Sequence, residues 1–270
     1  MENTETTAAA ELGAALSEPK LIEQTPYIVI PESYEKHSLE SFMGQRTRAR
    51  GTMTTESLAS FQKYVAAHQE QGAAVFVNAD EMRATAVLNL GVPVSPGHAD
   101  NTARYAPDRT VAYIALRQVA DGGGKKQSQI AEFLEDWPEC IKCFKDNTEV
   151  SPPQAIAAIR KITIEGLRKV ESAEQQLSAS KSSFESIAAT STEPLPTHIY
   201  FNCTPYADLA ARTFVLRLGI QTGQDKPLLT LRVVNAEKHK EAMAQELVDR
   251  VQTSFAGGIS VLIGTYQPGQ

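Results

Sequence analysis

The chain has 270 residues, 42% of them apolar, and a formal charge of −6, so one large domain or two small ones can bury a core. No apolar run approaches the roughly 20 residues needed to cross a bilayer. No basic segment followed by an apolar one opens the chain as a secretory signal would, and three cysteines cannot frame a disulfide scaffold, which predicts reduced thiols in a cytoplasm.

The charge is uneven. Residues 1–24 hold five Glu and one Lys, a balance of −4, which leaves the body near neutral and without a broad surface for nucleic acid. This acidic stretch has little to bury, so a mobile tail, or one ordered only by a partner, is expected. Tyr27 to Ile30 predicts a short strand ended by Pro31, and Ser38 is placed to cap a brief helix through Leu39, Phe42 and Met43.

Arg46, Arg48 and Arg50 form the densest positive run. On an extended segment they would project to one side, a comb able to hold phosphates or carboxylates. The structural alternative is pairing with the chain's own Glu residues or with a second subunit.

Thr52 to Gln71 predicts a helix, capped by Thr54 or Thr55, with Leu58, Phe61, Tyr64 and Val65 on one face. Ala73 to Val77 and Met82 to Leu90 predict two strands about the turn Asn78 to Glu81, so the helix backs a hairpin. Pro93 to Asp100 is a loop; its His98 and Asp100 invite an acid–base or metal reading, but no second His lies near. Thr102 to Ala106 predicts a further strand, and Thr110 to Val119 a helix whose start also fits a strand.

Asp121 to Lys126 reads as a flexible linker. Lys125 and Lys126 follow three glycines, but the spacing of a phosphate-binding loop is missing. Ser128 is the expected cap of a helix carrying Ile130, Phe133, Leu134 and Trp137, with Glu132, Glu135 and Asp136 on its polar face. Cys140 and Cys143 make a lone pair without the second pair that a zinc site needs, and Cys203 stands far away.

Ser151, Pro152 and Pro153 predict a helix start and a boundary between two halves. Glu165 to Thr192 fits either a long helix or a strand. Thr197 to Cys203, Arg212 to Thr222 and Leu228 to Val234 predict strands, with a turn at Gln224 to Pro227. A helix from Asn235 or Ala236 to Gly257 and a last strand over Ile259 to Ile263 follow.

The expected fold is therefore α+β, with antiparallel sheets and packed helices. A helix-backed hairpin occupies the N-terminal half, and a β-meander–helix–strand the C-terminal half. The expected organisation is a tail over 1–24, an N-terminal part over 25–150, and a closely associated C-terminal part over 151–270.

Several short stretches, in order, resemble the YfdQ-like family, named after an Escherichia prophage protein. They are Ser38 to Phe42, Arg50 to Thr52, Ser60 to Val65, Ala74 to Val77, Thr85 to Leu88, Ala103 to Tyr105 and Ile130 to Asp136. The resemblance covers most of residues 38–270, is weaker after 165, and departs around Gly122 to Lys126 and 170–190. It implies a phage or prophage origin and a bacterial host cytoplasm, and it supplies no reaction and no catalytic residues.

His98, Asp100, Cys140, Cys143 and His198 form no spacing that joins nucleophile, base and stabiliser. The expectation is a non-enzymatic accessory protein, with no cofactor or metal. It self-assembles as a homo-oligomer and binds a host or phage protein or a small ligand, in host takeover or counter-defence. The alternative is a nucleic-acid-associated protein of phage recombination or replication, using Arg46, Arg48 and Arg50 with Lys125 and Lys126. No membrane partner is expected.

Overall fold

A computed structural model describes residues 7, 12–13, 20–22, 25–27, 38–162, 194–221 and 228–267. The stretch 165–192, the turn at 224–227, residues 28–30 and most of the acidic tail lie outside these. Two compact units divide the chain, Met1–Ala49 and Arg50–Gln270.

In the first unit, β1 (Lys20–Ile22) pairs antiparallel with β2 (Thr25–Tyr27), so a strand lies inside the stretch expected to be a tail. A single 3-10 turn covers Glu40–Phe42, where the Ser38 hydroxyl accepts from the Glu40 N–H at 3.3 Å. The arginine run is not extended. It bends at Thr47 and Arg48, and both the N–H and the hydroxyl of Thr47 donate to Glu40 Oε1 at 3.2 Å.

The second unit holds two five-stranded sheets. The first runs β14–β4–β5–β8–β3, from β3 (Gly51–Thr55), β4 (Ala74–Asn78), β5 (Arg83–Val87), β8 (Asn101–Tyr105) and β14 (Ser260–Ile263). It is mixed: β3 lies parallel to β8 and β14 parallel to β4, with antiparallel pairs between. The second, β10–β9–β11–β12–β13, is wholly antiparallel. It is built from β9 (Ile141–Lys145), β10 (Thr148–Val150), β11 (His198–Cys203), β12 (Arg212–Gln221) and β13 (Leu228–Val233). A small hairpin of β6 (Gly91–Val92) and β7 (Ser95–Pro96) sits in the loop before β8. The α+β class is thus the observed one.

Helix α1 covers only Leu58–His68. The expected helix start at Thr52 is corrected, because Gly51 to Thr55 is rich in β-branched Thr and finds a strand partner in β8. The cap moves from Thr54 or Thr55 to Ser57, whose hydroxyl accepts from the Ser60 N–H at 3.3 Å. The remaining helices are α2 (Val111–Ala120), α3 (Gln127–Asp136), α4 (Pro152–Arg160) and α5 (Ala236–Ser254). Helix α3 opens at Lys126, not Ser128: the Gln129 side chain turns back to accept from the Lys126 N–H at 2.9 Å. The preceding linker is pinned, since Lys125 and Leu229 exchange backbone hydrogen bonds of 2.7 and 2.8 Å.

Two cores result. Phe61 and Val65 of α1, the inner faces of β4, β5 and β8, and Leu247, Val248 and Val251 of α5 make one. The second sheet with α2, α3, α4 and Met243 of α5 makes the other. Helix α5 therefore serves both cores. It leaves the second sheet, and β14, the strand that follows the helix, pairs with β4 of the first sheet.

Candidate functional site

A cleft of about 370 Å³ opens where α2, α5 and the β4–β5 turn meet. Each wall is set by local chemistry. At the β4–β5 turn, Asn78 accepts from the Glu81 N–H at 3.2 Å and donates to the Glu81 carboxylate at 2.9 Å. Met82 takes a left-handed backbone conformation, φ 53°. Together these present Asp80, Glu81 and Met82 to the cleft.

The second wall is α2 and the segment before it. Residues 108–110 are zipped to residues 205–207: the Thr110 N–H donates to the Pro205 carbonyl at 3.1 Å, and the Ala207 N–H to the Asp108 carbonyl at 3.2 Å. The Thr110 hydroxyl donates to the Thr204 carbonyl and caps α2, accepting from the Tyr113 N–H at 3.3 Å. Arg109 is thereby held beside Tyr206, with Nε donating to the hydroxyl at 3.4 Å. Tyr113, Leu116 and Arg117 follow at helical spacing on the cleft face.

The third wall is α5. Asn235, at φ 55°, turns the chain from β13 into the helix. Ala236, Glu237, His239, Lys240 and Met243 then line the cleft. Aromatic rings form a row through its floor. Tyr206 and Tyr113 lie 5.8 Å apart, Tyr113 and Phe214 5.5 Å, and Phe214 and His239 4.8 Å.

The charges are balanced but not all spent. Arg117 pairs with Asp121 at 2.7 Å and Glu81 with Arg83 at 2.6 Å. Among the described residues, Arg109, Lys240, Asp80 and Glu237 enter no ion pair. Burial, then the Arg212 guanidinium, push His239 below its ordinary value, so it is a neutral ring at pH 7. Burial raises the Tyr113 phenol. The lining contains no Ser, Thr or Cys among the described residues.

The residues singled out from sequence lie elsewhere. Arg46 and Arg48 belong to the first unit; Arg50, Lys125 and Lys126 belong to the second. None lines this cleft. Arg46 and Arg50 are exposed and Arg48 half-buried. His98 is exposed on its loop, whereas the Asp100 carboxylate accepts from Asn89 Nδ2 at 2.9 Å and so holds the loop together. His198 Nδ1 sits 3.1 Å from the Thr197 hydroxyl. Cys143 is buried on β9, where burial and then Glu149 push its thiol up to about 11. Burial and then Cys140 push Cys203 up to about 12. Neither is an activated thiolate. Among the described residues, no three His, Cys, Asp or Glu side chains are grouped to hold a metal ion. The cleft residues escaped sequence reasoning because they come from segments far apart in the chain. Of the lining, the two helices that carry Leu116 and Met243 were the part that sequence patterning placed.

A family model described as "Uncharacterized conserved protein (DUF2303)" matches residues 2–266, and the chain belongs to that family. No curated protein and no solved structure matches it.

Proposed function

We propose that this protein is a phage- or prophage-encoded accessory protein that self-assembles and acts by binding, not catalysis, with the cleft between α2 and α5 as its ligand site. The cleft carries the reading. Its volume lies in the range of small-molecule pockets. Its walls combine an aromatic row with unpaired charges of both signs. Its lining holds no Ser, Thr or Cys among the described residues. The phage setting rests on the resemblance to the YfdQ-like family, and the bacterial cytoplasm follows from that setting. No helix among the described residues is long and apolar enough to cross a membrane.

Assembly is supported by apolar side chains left in solvent. Leu39, Phe42 and Met43 are exposed in the first unit, Phe42 to 86%. Leu262 and Ile263 are exposed on β14, an edge strand of the first sheet. Such an edge is a template for another chain.

Equilibrium dialysis of the full chain against a bacterial small-molecule extract, read by mass spectrometry, tests the binding reading. A compound retained by the wild type and lost in Ala236→Trp, which fills the cleft from an exposed position, supports it. Retention of nothing contradicts it.

The exposed Arg46 and Arg50 favour a second reading, nucleic-acid binding. It requires binding to short DNA or RNA that falls steeply with salt. An absence of binding at low salt removes it.

A further inference from the structure

Resting on the cleft as a binding site, we infer that its ligand is a small ring-bearing molecule with one anionic group, carboxylate or phosphate, and hydrogen-bond donors at its other end. The anion is assigned to Arg109. Among the described residues this guanidinium has only a neutral partner, the Tyr206 hydroxyl at 3.4 Å, and the zipped 108–110 segment holds its backbone. A guanidinium presents a fork of N–H donors that fits a carboxylate or a phosphate in a bidentate way. Arg117 is committed to Asp121, so it leaves Arg109 as the cleft guanidinium ready for a ligand.

The ring is assigned to the cleft end of the row of Tyr206, Tyr113, Phe214 and His239, where half-buried His239 and Val233 offer the open apolar surface over the buried rings. A flat ligand packs on such a surface by stacking and by area removed from water. His239 is neutral, so it adds a polar edge without adding charge.

The donors are assigned to Asp80 and Glu237. Ionised carboxylates only accept, so they select N–H or O–H groups. They also limit the charge a ligand can carry. The cleft's unpaired charges, Arg109 and Lys240 against Asp80 and Glu237, sum to zero, so a chain of phosphates would bring it a large negative excess. One anionic group, not three, fits the balance.

Two sources share this chemistry: a nucleoside monophosphate and an aromatic amino acid. Calorimetric titration of the full chain with guanosine monophosphate, guanosine triphosphate, tryptophan and inorganic phosphate separates them. We expect one of the two single-anion ring compounds to bind. We expect the triphosphate and bare phosphate to bind at least about tenfold more weakly. In Arg109→Gln the bound compound should lose about tenfold or more in affinity, the loss of a charge-assisted hydrogen bond. Arg109 is exposed, so the variant should keep the wild-type urea midpoint, which separates a lost contact from a lost fold.

Binding by neither ring compound, binding unchanged in Arg109→Gln, or a triphosphate that binds as tightly as the monophosphate overturns the inference. It also fails if dialysis finds an uncharged compound whose retention Ala236→Trp abolishes. That last result leaves the cleft itself standing as a binding site and removes only the ligand class.

Discussion

Asp208 ties together parts of the molecule that sequence separates widely. Its Oδ2 accepts from the Leu58 N–H at 3.1 Å, at the free amino end of α1, and from the Tyr105 hydroxyl at 2.8 Å. Tyr105 is wholly buried, so its hydroxyl has no water to fall back on. Asp208→Ala should therefore cost about 1–3 kcal/mol in urea denaturation, and the loss should shrink when Tyr105→Phe is already present. Equal losses in both backgrounds would mean that the bond contributes nothing. Glu246 makes a second such node. It accepts from the Ala210 N–H at 2.7 Å and pairs with Arg250 at 2.9 Å and with Arg212. Burial works against its charge, but the Ala210 N–H and the two guanidiniums outweigh it and hold the carboxyl below its ordinary 4.5. A depressed folded value stabilises the protein above the unfolded value and loses that contribution as pH falls through the folded one. The stability gap between wild type and Glu246→Gln should thus be full at neutral pH and close on acidification below about 4.5. A gap that widens there contradicts the assignment. The cysteines give a third check. Cys140 is half-exposed while Cys143 and Cys203 are buried, so a thiol reagent should modify one cysteine in the native chain and the other two only on unfolding.

At the scale of elements, glycine packing shows what a sequence conceals. A Cβ on Gly72 would lie 1.9 Å from the Gly91 carbonyl oxygen, and Gly72 already sits at φ 79°. Backbone meets backbone there, just before β4 enters the first sheet. Gly72→Ala should cost roughly 2 kcal/mol or more in denaturation midpoint terms, through strain and displacement together. A neutral substitution would show that the loop yields freely. In the sequence this residue reads only as a helix stop. The hairpin β4–β5, the strands β8, β11, β12 and β13, and the helices α2, α4 and α5 were legible because each is long or strongly patterned. Helix α1 was placed too early because Gly51 to Thr55 carries no strand alternation, and its strand character depends on β8. Strands β9 and β10 went unread. Ile141 and Cys143 do alternate with Lys142, but the run is only five residues long, and the turn to β10 depends on Asp146 at φ 54°. The cleft was illegible for a different reason. Its charges are individually ordinary, and only the fold brings residues 80, 109, 117, 237 and 240 to one place.

The two cores of the second unit are joined by α5, which contributes Met243 to one and Leu247, Val248 and Val251 to the other before the chain enters β14. This crossing also builds the cleft, since the first turns of α5 wall it while the later turns pack on the first sheet. Assembly belongs to this scale too. Ile263→Lys on the exposed edge should shift the particle mass seen by mass photometry toward the single chain without changing the urea midpoint. An unchanged particle would place the subunit contact elsewhere, and a single-chain wild type would remove assembly altogether. The central claim is that the chain works by holding a small molecule between α2 and α5. Hydrogen exchange of the full chain, with and without the compound retained in dialysis, tests it most directly. The account predicts slowed exchange confined to residues 80–82, 109–117 and 236–243. Protection elsewhere, with these three segments unchanged, would contradict it.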